Sequence, residues 1–196
     1  MPVRPAQSRL GILRLALLAL GLAAPGPAAA LTGADLLTEV CLATFPRFDN
    51  ASERIAPFRP HAIAYDGSVF EQVKAERRST WTVNDGSDAA VDRFLVNVAW
   101  GELQSLPAAS CLVIDKRGFA LAELESKLAI KQIRVRPEKV LYMSFADAIA
   151  EGPDGRRLWL TFVLRPGHDD PGTGPAISSA TLMSSDYLNA LMEKDR

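Results

Sequence analysis

Among residues 94–101 the bulky side chains Phe94, Val96, Val98 and Trp100 share one parity, and Leu95, Asn97, Ala99 and Gly101 share the other. Alternation with period two marks a strand with one larger buried face. After a break at 101–107, Ala109-Ser110-Cys111-Leu112-Val113-Ile114 forms a second apolar run rich in branched residues, closed by Asp115-Lys116-Arg117-Gly118. The two runs predict an antiparallel pair at the centre of a sheet. Residues 79–84, with Trp81 and Val83 on one parity and Asn84-Asp85-Gly86 following, predict a strand before that pair. Residues 140–148, 157–164 and 179–183 predict three strands after it. Turn residues Glu151-Gly152-Pro153-Asp154-Gly155 join the first two of these as a hairpin.

Helical spacing appears in fewer places. Thr32 can cap a first helix with Asp35 three residues on, and Leu37, Cys41, Thr44 and Phe48 then follow as a stripe with Leu36 and Val40 beside them. Cys41 therefore faces the sheet, and Pro46 ends or kinks the helix. A shorter helix can start at Asn50 with Glu53 completing a capping box, limited by Pro57 and Pro60. Asp66-Gly67 reads as a turn. Residues 120–130 give the clearest helix, with Leu121, Leu124, Leu128 and Ala129 on one side and Glu123, Glu125 and Lys127 on the other. A last helix over 186–193 buries Leu188, Leu191 and Met192. Runs of strands broken by one or two helices predict an α+β fold. Its sheet is mostly antiparallel with about five to six strands, and the N-terminal helix and the helix after the central hairpin pack on it. No internal repeat is present.

Residues 1–30 stand apart from this pattern. Arg4, Arg9 and Arg14 precede an uncharged run over 15–24, and Ala28-Ala29-Ala30 supplies the small residues of a signal-peptidase site. Ten apolar residues ending at Pro25-Gly26-Pro27 fall short of the roughly 20 that span a bilayer. The expectation is a signal peptide cleaved after Ala30, a single domain over 31–196, and a soluble mature protein in the periplasm or secreted, with no stable membrane insertion after cleavage. Removing three arginines from the 22 basic residues leaves 19 against 23 acidic ones, a formal charge of −4. That balance argues against nucleic acid or an anionic membrane as the main partner. Two cysteines in an exported chain predict one disulfide, Cys41 to Cys111.

The order of features is a helix with one cysteine, a Ser110-Cys111-Leu112-Val113-Ile114 strand and an Ala/Leu-rich helix. A Gly155-Arg156-Arg157-Leu158-Trp159-Leu160 hairpin and a Pro/Gly loop then precede the final strand. In this the chain resembles a group of small, uncharacterised secreted proteins of alphaproteobacteria, a resemblance that implies no activity.

Candidate chemistry is sparse. The two histidines, His61 and His168, are more than a hundred residues apart, so a His-rich zinc site cannot be built from them alone. His168-Asp169-Asp170 can bring an imidazole and two carboxylates together in the 166–175 loop, as a weak metal site or acid/base pair. The simpler reading is a solvated polar loop. Phosphate-cradling glycine loops, the Gly-x-Ser-x-Gly elbow, Ser-x-x-Lys and Cys-x-x-Cys are all absent from the sequence. Lys131, Arg134, Arg136 and Lys139 form a basic run that can bind an acidic partner or an anionic envelope polymer, or simply solvate a connection between helix and strand. Trp81, Trp100 and Trp159 all lie in predicted strands, as core or sheet-face residues. These readings converge on an exported periplasmic accessory or interaction module without cofactor or catalytic site, whose partner is an envelope protein or polymer. The alternatives are an envelope hydrolase using His168 and nearby acids, and a small-ligand or lipid binder.

Overall fold

The computed structural model describes residues 30–64, 73–86, 92–140, 142–152, 154–186 and 188–189. These form one antiparallel sheet whose strands are β1 His61–Ala62, β2 Lys74–Val83, β3 Phe94–Leu103, β4 Leu106–Phe119, β5 Ala129–Val135, β6 Phe145–Glu151, β7 Arg157–Leu164 and β8 Ile177–Ser185. Their spatial order is β1-β2-β3-β4-β8-β7-β6-β5. Two meanders, β1 to β4 and β5 to β8, thus meet where β4 pairs with β8. The helices are short: α1 Gly33–Leu36, running on as a π-helical segment Leu37–Leu42, then α2 Ala51–Ile55 and α3 Leu121–Glu125.

The expected five to six strands are therefore corrected to eight, with only a few short helices beside them. Two strands are invisible to the alternation rule. β1 is two residues long and carries no pattern. The residues of β5 fall instead in the end of the expected helix and in the basic run, expected as a solvated connection or an anion-binding segment. A bulge between Ile130 and Gln132 shifts its register, so Ile130 and Ile133 fall on one face although they stand three apart, a helix-like interval. The expected helix over 120–130 consequently stops at Glu125, where backbone bonds from Ser126, Lys127 and Leu128 close it. The strand expected over 140–148 begins only at Phe145, because Val140 and Met143 exchange backbone hydrogen bonds in a tight turn. At Asn50 only backbone bonds start α2, and the expected side-chain cap does not form. Asp66-Gly67 and most of the last predicted helix lie outside the described residues.

One sheet face carries the core. Phe94, Val96 and Val98 of β3, Cys111 and Val113 of β4, Leu160 and Phe162 of β7 and Leu182 of β8 meet Leu36, Leu37, Val40 and Phe48 in a single apolar cluster. Burial of each such side chain contributes roughly 1.5–3 kcal/mol. The helical run through α1 lies across this face because Cys41 is bonded to Cys111, with Cα atoms 5.5 Å apart. The opposite face holds Thr80, Asn97, Ser110, Thr161 and Thr181, where the Asn97 amide donates to Thr80 Oγ1 at 2.7 Å.

The capping box at α1 forms as predicted: Asp35 N–H donates to Thr32 Oγ1 at 3.2 Å, and Thr32 N–H to the Asp35 carboxylate at 2.9 Å. Burial pushes the Asp35 carboxyl up, but bonds from Lys127 and from the Thr32 amide and hydroxyl outweigh it and hold the group below its ordinary value. A depressed folded pKa contributes stability that is present above the unfolded value of about 3.9 and lost as pH falls through the folded one. Asp35→Asn should therefore remove part of the acid-side slope of unfolding free energy and leave the alkaline side unchanged, which denaturant titrations across pH will read.

At the Phe94 end of the central pair lies a buried charge network. Asp115 is fully buried and accepts from Arg93 Nε at 2.9 Å and Nη2 at 2.8 Å, from Arg117 N–H at 2.9 Å and from Gly33 N–H at 3.3 Å. Arg93 Nη1 and Arg117 Nη1 each reach Asp85 at 3.1 Å. The bond to Asp115 is the main cause that raises the Arg93 pKa further above its ordinary value. This network ties β3, β4 and the start of α1 together.

Candidate functional site

The polar loop 166–175 does not gather its three candidates. His168 is partly buried and its Nδ1 lies 3.5 Å from Thr173 Oγ1. Asp169 accepts from Lys139 Nζ at 2.7 Å and Ser144 Oγ at 2.6 Å, bonds that hold its carboxyl below the usual range. The Asp170 carboxylate accepts from Gly172 N–H at 2.9 Å and so closes its own turn. Among the described residues no group of three or more His, Cys, Asp or Glu side chains could hold a metal ion. His61 is exposed in β1, opposite Thr82.

The basic run gives a more definite arrangement, because it is a strand and that strand is the edge of the sheet. Gln132, Arg134 and Arg136 point to the face away from the helices, while Ile133 packs against the core cluster. Three of the four cations are matched by acids. Lys131 Nζ is 3.2 Å from Glu151, Lys139 bonds Asp169, and Arg136 makes a fork to Asp147 at 2.7 and 2.6 Å. Thr161 Oγ1 donates to the same Asp147 carboxylate at 2.9 Å, and the Arg136 guanidinium lies 5.7 Å from the Phe145 ring centre. The fork is the chief cause that raises the Arg136 pKa above its ordinary value. Arg134 is exposed and, alone of the four, makes no ion pair among the described residues, although it stands opposite Asp147 in the β5–β6 register.

Backbone geometry decides what the edge offers. Arg136 N–H donates to Phe145 O at 2.8 Å, so that facing pair is a hydrogen-bonded one. Facing pairs alternate along an antiparallel ladder, so Arg134 opposite Asp147 is also bonded, while Val135 opposite Ala146 and Ile133 opposite Ala148 are not. The amides and carbonyls of Ile133 and Val135 therefore point away from β6, toward the side of β5 on which no strand pairs among the described residues. No family model, curated protein or solved structure matches this chain. The site is therefore read from its own geometry.

Exposed apolar side chains occur on β5 and in the connection that leaves it. Of the five large hydrophobic residues that are exposed among the described residues, Val135, Val140 and Tyr142 lie on β5 or in the connection that leaves it. Tyr142 is 92% exposed and sits at φ +65°, a conformation uncommon for a bulky residue. A cleft of about 410 Å³ adjoins the same edge, lined by Gln132, Arg134, Arg136, Asp147, Ile149 and Trp159 among others. Trp159 thus lies on the sheet face lining this cleft, whereas Trp81 and Trp100 pack against the core cluster. Sequence reasoning found the four cations but missed Val135, Tyr142 and Asp147. Asp147 had one visible signal, a lone charge inside the otherwise apolar Phe145-Ala146-Asp147-Ala148-Ile149 run.

Proposed function

We propose that this chain is an exported periplasmic interaction module that binds a partner protein by adding the partner's extended segment to the free edge of β5. The observation that carries the reading is the seven-residue edge strand with the backbone of Ile133 and Val135 turned outward. Strand addition uses such groups for affinity and the alternating side chains for selectivity. Exposed Val135 on the strand supplies an apolar contact. Export is supported by the leader pattern and by the Cys41–Cys111 bond, which suits an oxidising compartment. No helix among the described residues is long and apolar enough to cross a membrane.

The hydrolase reading loses its support where Asp169 and Asp170 turn to Lys139, Ser144 and Gly172 rather than to His168. A lipid binder needs an apolar cavity between helices and sheet; the cleft of about 380 Å³ there, lined by Leu42, Phe45 and Leu158, is flanked by the charged Glu39, Lys127, Asp154 and Arg156.

The test is co-purification from envelope extract with the mature protein and its Val135→Pro variant. Proline at this position removes an outward N–H and leaves the β6 ladder intact. A partner retained by wild type and lost by Val135→Pro, with equal thermal stability of the two, is the expected result. Retention of the same partner by the variant would overturn the reading.

A further inference from the structure

We infer that the segment added to β5 is acidic, with a carboxylate side chain directly opposite Arg134. This inference rests on the strand-addition reading and specifies its partner class.

If Ile133 and Val135 bond an antiparallel ninth strand through their outward groups, Arg134 occupies the intervening non-hydrogen-bonded position. There the facing Cα atoms come within about 4.5 Å and the side chains meet most closely. Among the described residues Arg134 is also the one cation of the four that makes no ion pair, whereas Lys131, Arg136 and Lys139 are held by Glu151, Asp147 and Asp169. Arg136 is fixed by the Asp147 fork through Nε and Nη2, so its Nη1 remains as a second donor lining the same cleft. A carboxylate opposite Arg134 thus meets a guanidinium that makes no direct ion pair among the described residues, its cross-strand neighbour Asp147 being engaged by the Arg136 fork, and one pre-oriented N–H.

The same residues argue against a second copy of this chain as the occupant. Antiparallel self-pairing centred on Arg134 would set that guanidinium against its own equivalent, and like charges directly opposite are destabilising. Cationic edge strands resist self-association for this reason. On the other parity, Ile133 and Val135 would flank apolar residues of the added strand. The segment that fits therefore alternates apolar and acidic side chains.

The experiment uses three synthetic peptides of about nine residues, a usual strand length, alternating valine with glutamate, glutamine or lysine. Binding to the mature protein is followed through the backbone amide resonances of Ile133 and Val135. The glutamate peptide should bind about fivefold more tightly than the glutamine peptide, the size of one good cross-strand charge pair, and added salt should shrink the difference. Arg134→Glu should reverse the order and favour the lysine peptide, Arg134→Gln should level it, and Val135→Pro should abolish binding of all three. Equal binding of the glutamate and glutamine peptides, with Val135→Pro still abolishing it, would overturn the acidic inference and leave strand addition standing. Failure of every peptide to move the Ile133 and Val135 resonances would overturn both. A dimer of the free protein that Val135→Pro dissociates would make a second copy the occupant and overturn the acidic segment as well.

Discussion

Replacing Cys41 with Ala is expected to lower the unfolding free energy by roughly 2–5 kcal/mol, the usual cost of losing a native disulfide in a small exported domain. The bond closes a sequence separation of 70 residues and joins the helical run after α1 to β4 near the centre of the sheet. Without it, the unfolded chain regains the freedom that the closed loop denies it. Reductant should lower wild-type stability by a similar amount and leave Cys41→Ala unaffected. Cys111→Ala should match Cys41→Ala, and the double variant should cost little more than either, because one bond is lost in all three. Thermal unfolding with and without reductant, beside thiol counting on the denatured protein, reads each of these. Two titratable thiols in freshly purified material, or equal sensitivity of wild type and variant to reductant, would contradict the expectation.

The second large effect is expected at Arg93. Arg93→Ala leaves the fully buried Asp115 carboxylate with only the backbone donors of Gly33 and Arg117, and takes one cation from Asp85. Breaking a buried pair from one side costs about 3–5 kcal/mol, since the remaining charge stays out of water without compensation. Arg93→Lys keeps the charge but cannot reproduce the two-pronged bond to Asp115, and should fall between wild type and alanine. The double change Arg93→Ala with Asp115→Ala should recover part of the loss, because it removes the stranded charge. Urea titrations that report midpoint and slope separately will show whether stability alone has moved. A loss below about 1 kcal/mol in Arg93→Ala, as for an exposed pair, would mean that water reaches Asp115.

These two expectations differ in how far the sequence announced them. The Cys41–Cys111 bond followed from cysteine count and compartment, and the helical stripe placed Cys41 against the sheet. The Arg93 network did not, because Asp85, Arg93, Asp115 and Arg117 sit in turns and strand ends where charge is ordinary and nothing local marks burial. Strands β3 and β7, and the middle stretches of β4 and β8, were legible because their inward side chains alternate there. β5 was not, since its bulge at Lys131 imitates helical spacing and its charges imitate a solvated connection. The same disguise hid the candidate site. Four cations were visible in sequence, but their acids Glu151, Asp147 and Asp169 lie on other elements, and only tertiary pairing singles out Arg134. That β4 pairs with β8 rather than β5 is a non-local choice that no window of sequence records.

The measurement that tests the edge most directly is site-specific photo-crosslinking of the full chain in living cells. The crosslinker is placed at Tyr142, an exposed residue of the connection that leaves β5, and separately at Leu106, an exposed residue of β4 in the interior of the sheet order. The account predicts one discrete adduct from position 142, absent from position 106 and lost when Val135→Pro is added. No adduct at position 142, or one that persists with Val135→Pro, would contradict it.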